Sequence, residues 1–565
     1  FYRREDVMFW TDLNIRLQQE DEDFESDKEA LLISDVTEIN SYEKIWRGIT
    51  SYNKVYEASY NEDDIYNPEA EDKVVIRFTL PGSRQARNFG EIKSVENGRI
   101  TFERKAHSPE ELDYIPNALI KYDLFLSEGK QRELNNLAEE ITSVWGDPTN
   151  EPPAGFAALD LLLRRPPRLT HGEITPADPE NYLPALIDTA ERMDSTVLAV
   201  QGPPGSGKTY LASNLIKHLL QSGKSVAVVT TSHSAVETVM RACVAAGVDP
   251  ASMFKVRKKN DVKEYDWVTD LDAKVISAKM AAHPGTLMLG GTAFALCNQH
   301  IRAHHFDYLL IDEAAQFSLV DALAVAGIAD NLILFGDPQQ LSQVVQAVHP
   351  GGVENSALGH YMGDWSIIPK DFGYFVEVTR RLHPEVNKAV SWLAYENQLR
   401  SHKDTEANVI PGTRPGLHLV EMDHLGNSTY SPEEVEKVLE LVVKHAEDLP
   451  EEEILIVSPY NAQVNSIRKA LDANGYHKVE VGTVDKFQGR EGLVVIYSFA
   501  ASSADDAPRG LGFLLDRNRM NVAISRAKSV CYLVYSKDLL KATFKNLEDL
   551  KSVSRLAGLT SSLSA

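Results

Sequence analysis

The sequence predicts an α/β protein with two parallel-sheet domains in tandem, preceded by a small β-barrel and a helical stalk. Three observations carry this. From Thr196 onward, short apolar runs (TVLAV, SVAVVT, TLMLG, FDYLLI, NLILF) alternate with helical segments. Beyond a Gly-rich passage at 349–352 a second series follows, with YFVEV, GLHLV, EILIV, VEVGTV, LVVIYSF and CYLVY. Ahead of both, VVIRFTL, FGEIKSV and GRITFERK are separated by PGSRQ and ENG turns, the texture of a small barrel or curled sheet.

Taken in chain order, residues 1–71 read as an acidic N-terminal linker with one amphipathic stretch, MFWTDLNIRLQ. Residues 72–125 read as the barrel and 126–180 as the stalk, with helices over SEGKQRELNNLAEEITSVW and FAALDLLLRR ended by DPTNEPPAG and PPRL. The first parallel-sheet domain takes 181–350 and the second 351–565.

A chain of 565 residues with 43% hydrophobic and 25% charged side chains is too long for one core and too apolar to be disordered. No apolar run approaches the ~18 residues of a membrane span, and the opening FYRREDVMFW lacks a secretory pattern. Cys243, Cys297 and Cys531 are far apart, which excludes a disulfide framework and a CxxC metal site and points to the cytoplasm. The chain opens at Phe1 rather than Met, which suggests a piece of a longer polypeptide. The net charge of −24 argues against a nucleic-acid partner at first sight. However, residues 1–72 carry 20 Asp or Glu against 7 Lys or Arg, so a local basic groove is compatible with the remainder.

The strand TVLAVQ runs into GPPGSGKT, then into a helix. These eight residues (Gly202, Pro203, Pro204, Gly205, Ser206, Gly207, Lys208, Thr209) satisfy the phosphate-loop pattern in its strand–loop–helix setting. The glycines let backbone N–H groups curl around phosphate at a helix N-terminus. Lys208 is expected to reach the β- and γ-phosphates, Thr209 to hold Mg²⁺, and Tyr210 to add a nucleotide contact. FDYLLIDEAAQ ends a buried strand in two carboxylates. Asp312 is expected to bind Mg²⁺ and Glu313 to orient or deprotonate a water. The next strand ends in GDPQQL, where Gln340 is placed to sense a γ-phosphate. KVRKKN (255–260) reads either as a solvated loop or as an electrostatic guide for nucleic acid. GEIK (90–93) lacks the acidic companions of a nuclease site and reads as plain strand.

The ordered set GPPGSGKT, TTSHSAVE, GGTAFAL, DEAAQ, GDPQQL, RRLHPEV, SPYNAQ, GTVDKFQGREGLVVI and RMNVAISRAK resembles superfamily 1B helicases, the group of the RNA-surveillance helicases. MFWTDLNIRL, FAALDLLLRRPPRL and HPGGVENSALGH are further similar to the helicase half of bacterial RecB-like nuclease–helicase fusions. The resemblance implies two RecA-like domains and an ATP- and Mg²⁺-dependent single-strand translocase that moves 5′→3′. DNA is the expected track and RNA the alternative. Any nuclease domain would lie upstream of Phe1. It also implies that Arg526 and Arg381 are arginine fingers, that Glu491 lies near the ribose, and that Gln488 lies at the domain interface. The implied strand contacts are Thr231, Ser232, His233, Gly291, Thr292, Ser458, Pro459, Tyr460 and Thr483, with helix capping as the other reading of His233.

Two departures stand out. The segment before the phosphate-loop strand, NYLPALIDTAERMDS, lacks the Gln with which such proteins recognise adenine, and Asn181 is its nearest substitute. Arg380 stands where relatives carry an aromatic, and a guanidinium plane can stack on a base as well. Two competing readings are a nucleotide-gated clamp without unwinding and a motor module that mainly feeds a nuclease.

Overall fold

The computed structural model describes residues 1–565 apart from 20, 22–23, 25–26, 28, 47–48, 62–65, 67, 81–83, 97, 107, 123–126, 148, 259–262, 342, 344, 346, 488, 542–546 and 565. It divides into two compact units. The first comprises Phe1–Ser127 with Val345–His349, and the second Glu128–Val344 with Pro350–Ala565.

The first unit is a helix, Tyr2–Gln18, with a seven-stranded antiparallel sheet. The strands are β1 (Ala30–Leu32), β2 (Ser34–Trp46), β3 (Ile49–Ser59), β4 (Lys73–Leu80), β5 (Arg84–Glu96), β6 (Arg99–Ala106) and β7 (Pro116–Lys121). Their order is β1-β7-β4-β5-β6-β3-β2, with no ladder joining β1 to β2 among the described residues. The expected barrel is thus a larger sheet, and residues 1–71 are not a linker, because three of its strands come from them. The buried guanidinium of Arg77 on β4 holds Gln19 and Asp21. It donates to Asn117 Oδ1 (3.0 Å), to the Gln19 carbonyl (2.9 Å) and to Asp21 (2.8 Å), and lies 4.5 Å from the Phe24 ring. A buried charge is tolerated only with this degree of pairing. The GEIK segment lies in β5, where Lys93 pairs with Glu91 and Glu103.

The second unit contains two parallel sheets. The first is built from β8 (Val197–Gln201), β9 (Val226–Thr230), β10 (Met253–Val256), β11 (Val268–Asp270), β12 (Met288–Thr292), β13 (Phe306–Ile311), β14 (Ala329–Gly336) and β15 (Gly373–Phe375). Their order is β11-β10-β12-β9-β13-β14-β8-β15. Leu198 and Val200 of β8 enter one core and Val197 and Ala199 the other, so both faces are covered, as parallel sheets require. The domain limit expected at residue 350 is corrected here. YFVEV was assigned to the second series, but Gly373–Phe375 pairs with β8. A Cβ on Gly373 would stand 1.9 Å from the Ala199 carbonyl oxygen, so glycine is what permits this pairing. The stalk is also absorbed. Helix Glu128–Trp145 lies against the first parallel-sheet domain, with Lys130 paired to Asp321 and Arg302 to the buried Glu133.

A short ladder of β16 (Val378–Thr379) and β17 (Arg400–Ser401) precedes the second parallel sheet. That sheet comprises β18 (Gly416–Met422), β19 (Ile454–Val457), β20 (Glu480–Gly482), β21 (Gly492–Ser498) and β22 (Ala527–Ser536), in the order β18-β22-β21-β19-β20. The expected α/β class with two tandem parallel sheets therefore holds.

Helix Pro432–Ala446 covers one face of this sheet and buries His445, whose Nε2 lies 3.0 Å from the Tyr532 hydroxyl. Burial pulls the imidazole down to about 4, with Lys444 and His418 pushing the same way and Asp448 opposing. A histidine neutral when folded protonates in the unfolded chain near 6.5, so its contribution is present above that pH and is lost as pH falls toward 4. The urea midpoint should therefore fall between pH 7 and pH 5, and His445→Gln should show a shallower fall. Equal slopes in the two proteins would refute this.

Candidate nucleotide site

The phosphate loop leaves β8 and enters helix Lys208–Gln221 through Gly207, at φ 88°. Gly205 is also left-handed, at φ 72°, and a Cβ there would meet Arg381 Cβ at 2.4 Å and Thr379 Oγ1 at 2.8 Å. This closeness is matched by hydrogen bonds. The Arg380 N–H donates to the Gly205 carbonyl (2.8 Å), and the Thr379 hydroxyl to the Pro204 carbonyl (2.8 Å). The RRLHP segment thus rests directly on the loop. Lys208 Nζ donates to the Gly202 carbonyl at 2.6 Å. Tyr210 is exposed.

Asp312 and Glu313 follow β13, next to β9 and β14. Water stripped from around Asp312 pushes its carboxyl up to about 7, with Glu313 adding and Lys208 opposing. Glu313 is held at φ 54°, a conformation that costs a non-glycine residue free energy and tends to mark functional sites. Asp337, after β14, is buried and raised by that burial. It accepts from Tyr395 Oη (2.6 Å), Gln340 Nε2 (2.9 Å) and the Gln339 N–H (3.2 Å). The Gln340 amide is therefore committed to Asp337 rather than free at the strand tip.

Arg381 donates from Nε to Glu491, and from Nη1 to the Ser525 carbonyl at 3.4 Å. Arg526 is buried, and burial pulls it down to about 10; Arg381 adds to this, while Glu313 and Glu491 oppose it. It remains charged at neutral pH, and its Nε has no hydrogen-bond partner among the described residues. The Ser206 hydroxyl is likewise buried without a partner. These two orphaned groups, together with the glycine cradle and Lys208, fit a polyphosphate. Thr209 and Asp312 fit Mg²⁺, which takes one or two protein ligands with phosphate oxygens. Arg380 is exposed.

Of the expected strand contacts, Thr231 is exposed, and His233, Thr292 and Thr483 are half-exposed. Ser232 is exposed, but its Oγ caps helix His233–Ala246 by accepting from the Ala235 N–H (3.2 Å). Gly291, Ser458, Pro459 and Tyr460 are buried. A Cβ on Gly291 would meet Leu296 at 2.5 Å. The basic-loop reading of KVRKKN is corrected in part. Lys255 is fully buried and pairs with Glu237 at 2.9 Å, while residues 259–260 and Gln488 lie outside the described residues. Sequence reasoning missed Thr379, Tyr395, Asn518 and Asn521. The two asparagines stand three apart in RNRMNVAIS, a spacing that puts them on one helical face.

Two tandem parallel-sheet domains, the first with a phosphate loop and the second with arginines beside it, are the class this arrangement defines. Residues 185–363 and 366–538 each match an AAA domain family. Within that class the chain belongs with the superfamily 1 helicases. It is 26% identical over 421 residues to the Saccharomyces cerevisiae "DNA replication ATP-dependent helicase/nuclease DNA2", covering 65% of this chain and 26% of that protein. It is 28% identical over 392 residues to the Schizosaccharomyces pombe "ATP-dependent helicase upf1", covering 58% of this chain and 42% of that protein. The Arterivirus nonstructural protein 10 helicase aligns over 83% of this chain and 81% of its own, at 15% identity and a TM-score of 0.39. The chain thus spans between a quarter and a half of these two curated relatives. Among the described residues, no helix is long and apolar enough to cross a membrane.

Gly205→Ala forces a left-handed alanine against Thr379 and Arg381. The strain of about 1–3 kcal/mol should weaken binding of a fluorescent ATP analogue by roughly tenfold or more. Unchanged affinity would mean that the loop and the RRLHP segment do not need this contact.

Proposed function

We propose that the chain is an ATP-dependent motor that translocates on single-stranded nucleic acid, on DNA by preference and 5′→3′, and that it serves as the helicase part of a larger DNA-processing protein. The observation that carries this is the direct seating of the RRLHP segment on the phosphate loop, through Arg380 N–H to Gly205 and Thr379 to Pro204. A nucleotide bound there has groups from both parallel-sheet domains within reach, so its hydrolysis can alter how they pack. The words "DNA replication" in the DNA2 relatives' names support DNA, with RNA as the alternative.

Lys208 would exchange the Gly202 carbonyl for phosphate oxygens. Bound Mg²⁺, held by Thr209 and Asp312, would supply charge neutralisation across the phosphates. Glu313 would accept a proton from the attacking water, and the unpartnered Nε–H of Arg526 would meet charge that develops on the transferred group. Arg381, once released from Glu491, would do the same from the other side. Short polar groups at strand ends, Thr231, Thr292 and Thr483, would touch the strand without reading its bases.

Single-stranded DNA should stimulate ATP hydrolysis more than RNA or duplex does, and Lys208→Ala or Glu313→Gln should abolish turnover. In the same assays a 5′-tailed duplex should be unwound and a 3′-tailed one should not. Hydrolysis that is unstimulated and indifferent to both substitutions would sink the motor reading.

The two arginines should separate kinetically. Arg381→Ala should lower kcat by about a hundredfold with little change in KM, whereas Arg380→Ala should raise KM for ATP and spare kcat. If Arg380→Ala leaves ATP affinity unchanged, its base-stacking role is lost.

A further inference from the structure

Most polar tips of the phosphate site are accounted for by the motor chemistry, but one buried cluster beside it is not. The GDPQQ turn belongs to the first parallel-sheet domain. It is gripped by helix Arg517–Ile524, the element that leads into Arg526. Asn518 Nδ2 donates to the Pro338 carbonyl (3.0 Å) and the Gln340 carbonyl (2.8 Å). One turn on, Asn521 Nδ2 donates to the Gln339 carbonyl (2.7 Å) and to Tyr395 Oη (3.0 Å). Tyr395 passes its own proton toward Asp337 Oδ2 at 2.6 Å. It stands at the C-terminal end of helix Pro384–Ala394, whose N-terminal approach carries Arg380 and Arg381. One phenol therefore touches the turn after β14 and the helix that leads into Arg526, and caps the helix that Arg381 precedes.

Tyr395, Asn521 and Asp337 are all at most 1% exposed, so their hydrogen bonds are made where water cannot replace them. The cluster is also incompletely satisfied. Asn521 Oδ1 and Gln339 Oε1 are buried with no partner among the described residues. An unpaired buried acceptor costs free energy, so these two leave the cluster less than fully stabilised.

We propose that Tyr395 is a positioning residue that ties the Asp337–Gln340 turn to the Asn518–Asn521 face, so that Arg526 and Arg381 are set for reaction only when that turn is in its engaged arrangement. Tyr395 touches neither nucleotide nor metal. It acts through Asp337 and Asn521. This rests on the motor reading above and adds the part that makes the arginines conditional on the first domain.

The test uses the full chain. Tyr395→Phe removes one hydroxyl and keeps the ring that packs against Phe375. It should lower DNA-stimulated kcat by about tenfold or more with KM for ATP within about twofold. In an Arg526→Ala background it should cost less than in the parent, because one of the two groups it positions is gone. Asp337→Asn keeps an acceptor for the phenol and should retain more turnover than Asp337→Ala. A second readout does not depend on hydrolysis. With one dye on each parallel-sheet domain, AMP-PNP with Mg²⁺ should change energy transfer in the parent and change it less in Tyr395→Phe. If Tyr395→Phe does not fold, Asn518→Ala at its half-exposed site should give the same kinetic pattern. Additive losses with Arg526→Ala, or a loss expressed in KM alone, would overturn the proposal. A parent that closes on AMP-PNP, with Tyr395→Phe closing less, but that lacks DNA-stimulated turnover would overturn the motor reading and leave the latch standing.

Discussion

Gly205 is where the two halves of the nucleotide site meet, and the rest of the site follows from how little room it leaves. Its missing side chain lets the backbone of Arg380 and the hydroxyl of Thr379 come within hydrogen-bonding distance of the phosphate loop. A loop clamped in this way is tied, through the Arg380 backbone, to Arg381 one residue on. The contact also explains why two arginines can sit together. Arg381 and Arg526 repel one another, and burial of Arg526 adds to that cost, while Glu313 and Glu491 offset it. An anion entering this space relieves both penalties at once, so the free site is poised for phosphate rather than merely complementary to it.

Burial of the two sheets sets how firmly these groups are held. Alternate residues of β8 and β9 enter opposite cores, as do Ile454 and Leu455 of β19, so each strand end is fixed from both sides. Glu313 can then keep a left-handed backbone that a looser strand end would relax. The acidic character of the chain does not conflict with this. Much of it lies in the first unit, where Arg77 of β4 pairs with Asp21, and it says nothing about the local charge at the loop.

The motifs were legible because their chemistry is local. GPPGSGKT, DEAAQ and RRLHP each carry glycine, carboxylate or arginine at a spacing that only a strand end or helix start explains. The long ribbon of β2 and β3 was not legible. Its side chains are mostly exposed or half-exposed, so it lacks the apolar alternation that marks a strand with one buried face. The limit at residue 350 failed for a different reason. GYF reads equally well as the end of one series or the start of the next, and only the pairing of Gly373 with Ala199 decides between them. Tyr395 was invisible in the sequence, because a tyrosine in an apolar helix reads as core until its hydroxyl is seen against Asp337.

The strand-end groups carry a further consequence for any track that runs over them. Thr231 and Thr483 follow β9 and β20, and Thr292 ends β12, all parallel strands, so each lies at the C-terminal edge of its sheet. The Ser232 hydroxyl beside Thr231 is already committed to the Ala235 N–H, and Ser458 and Gly291 are buried. Thr231, Thr292 and Thr483 therefore put short hydroxyls at these edges. Contacts of that kind hold phosphate and sugar at any sequence. A motor needs this, since each step must present the same surface to a different base.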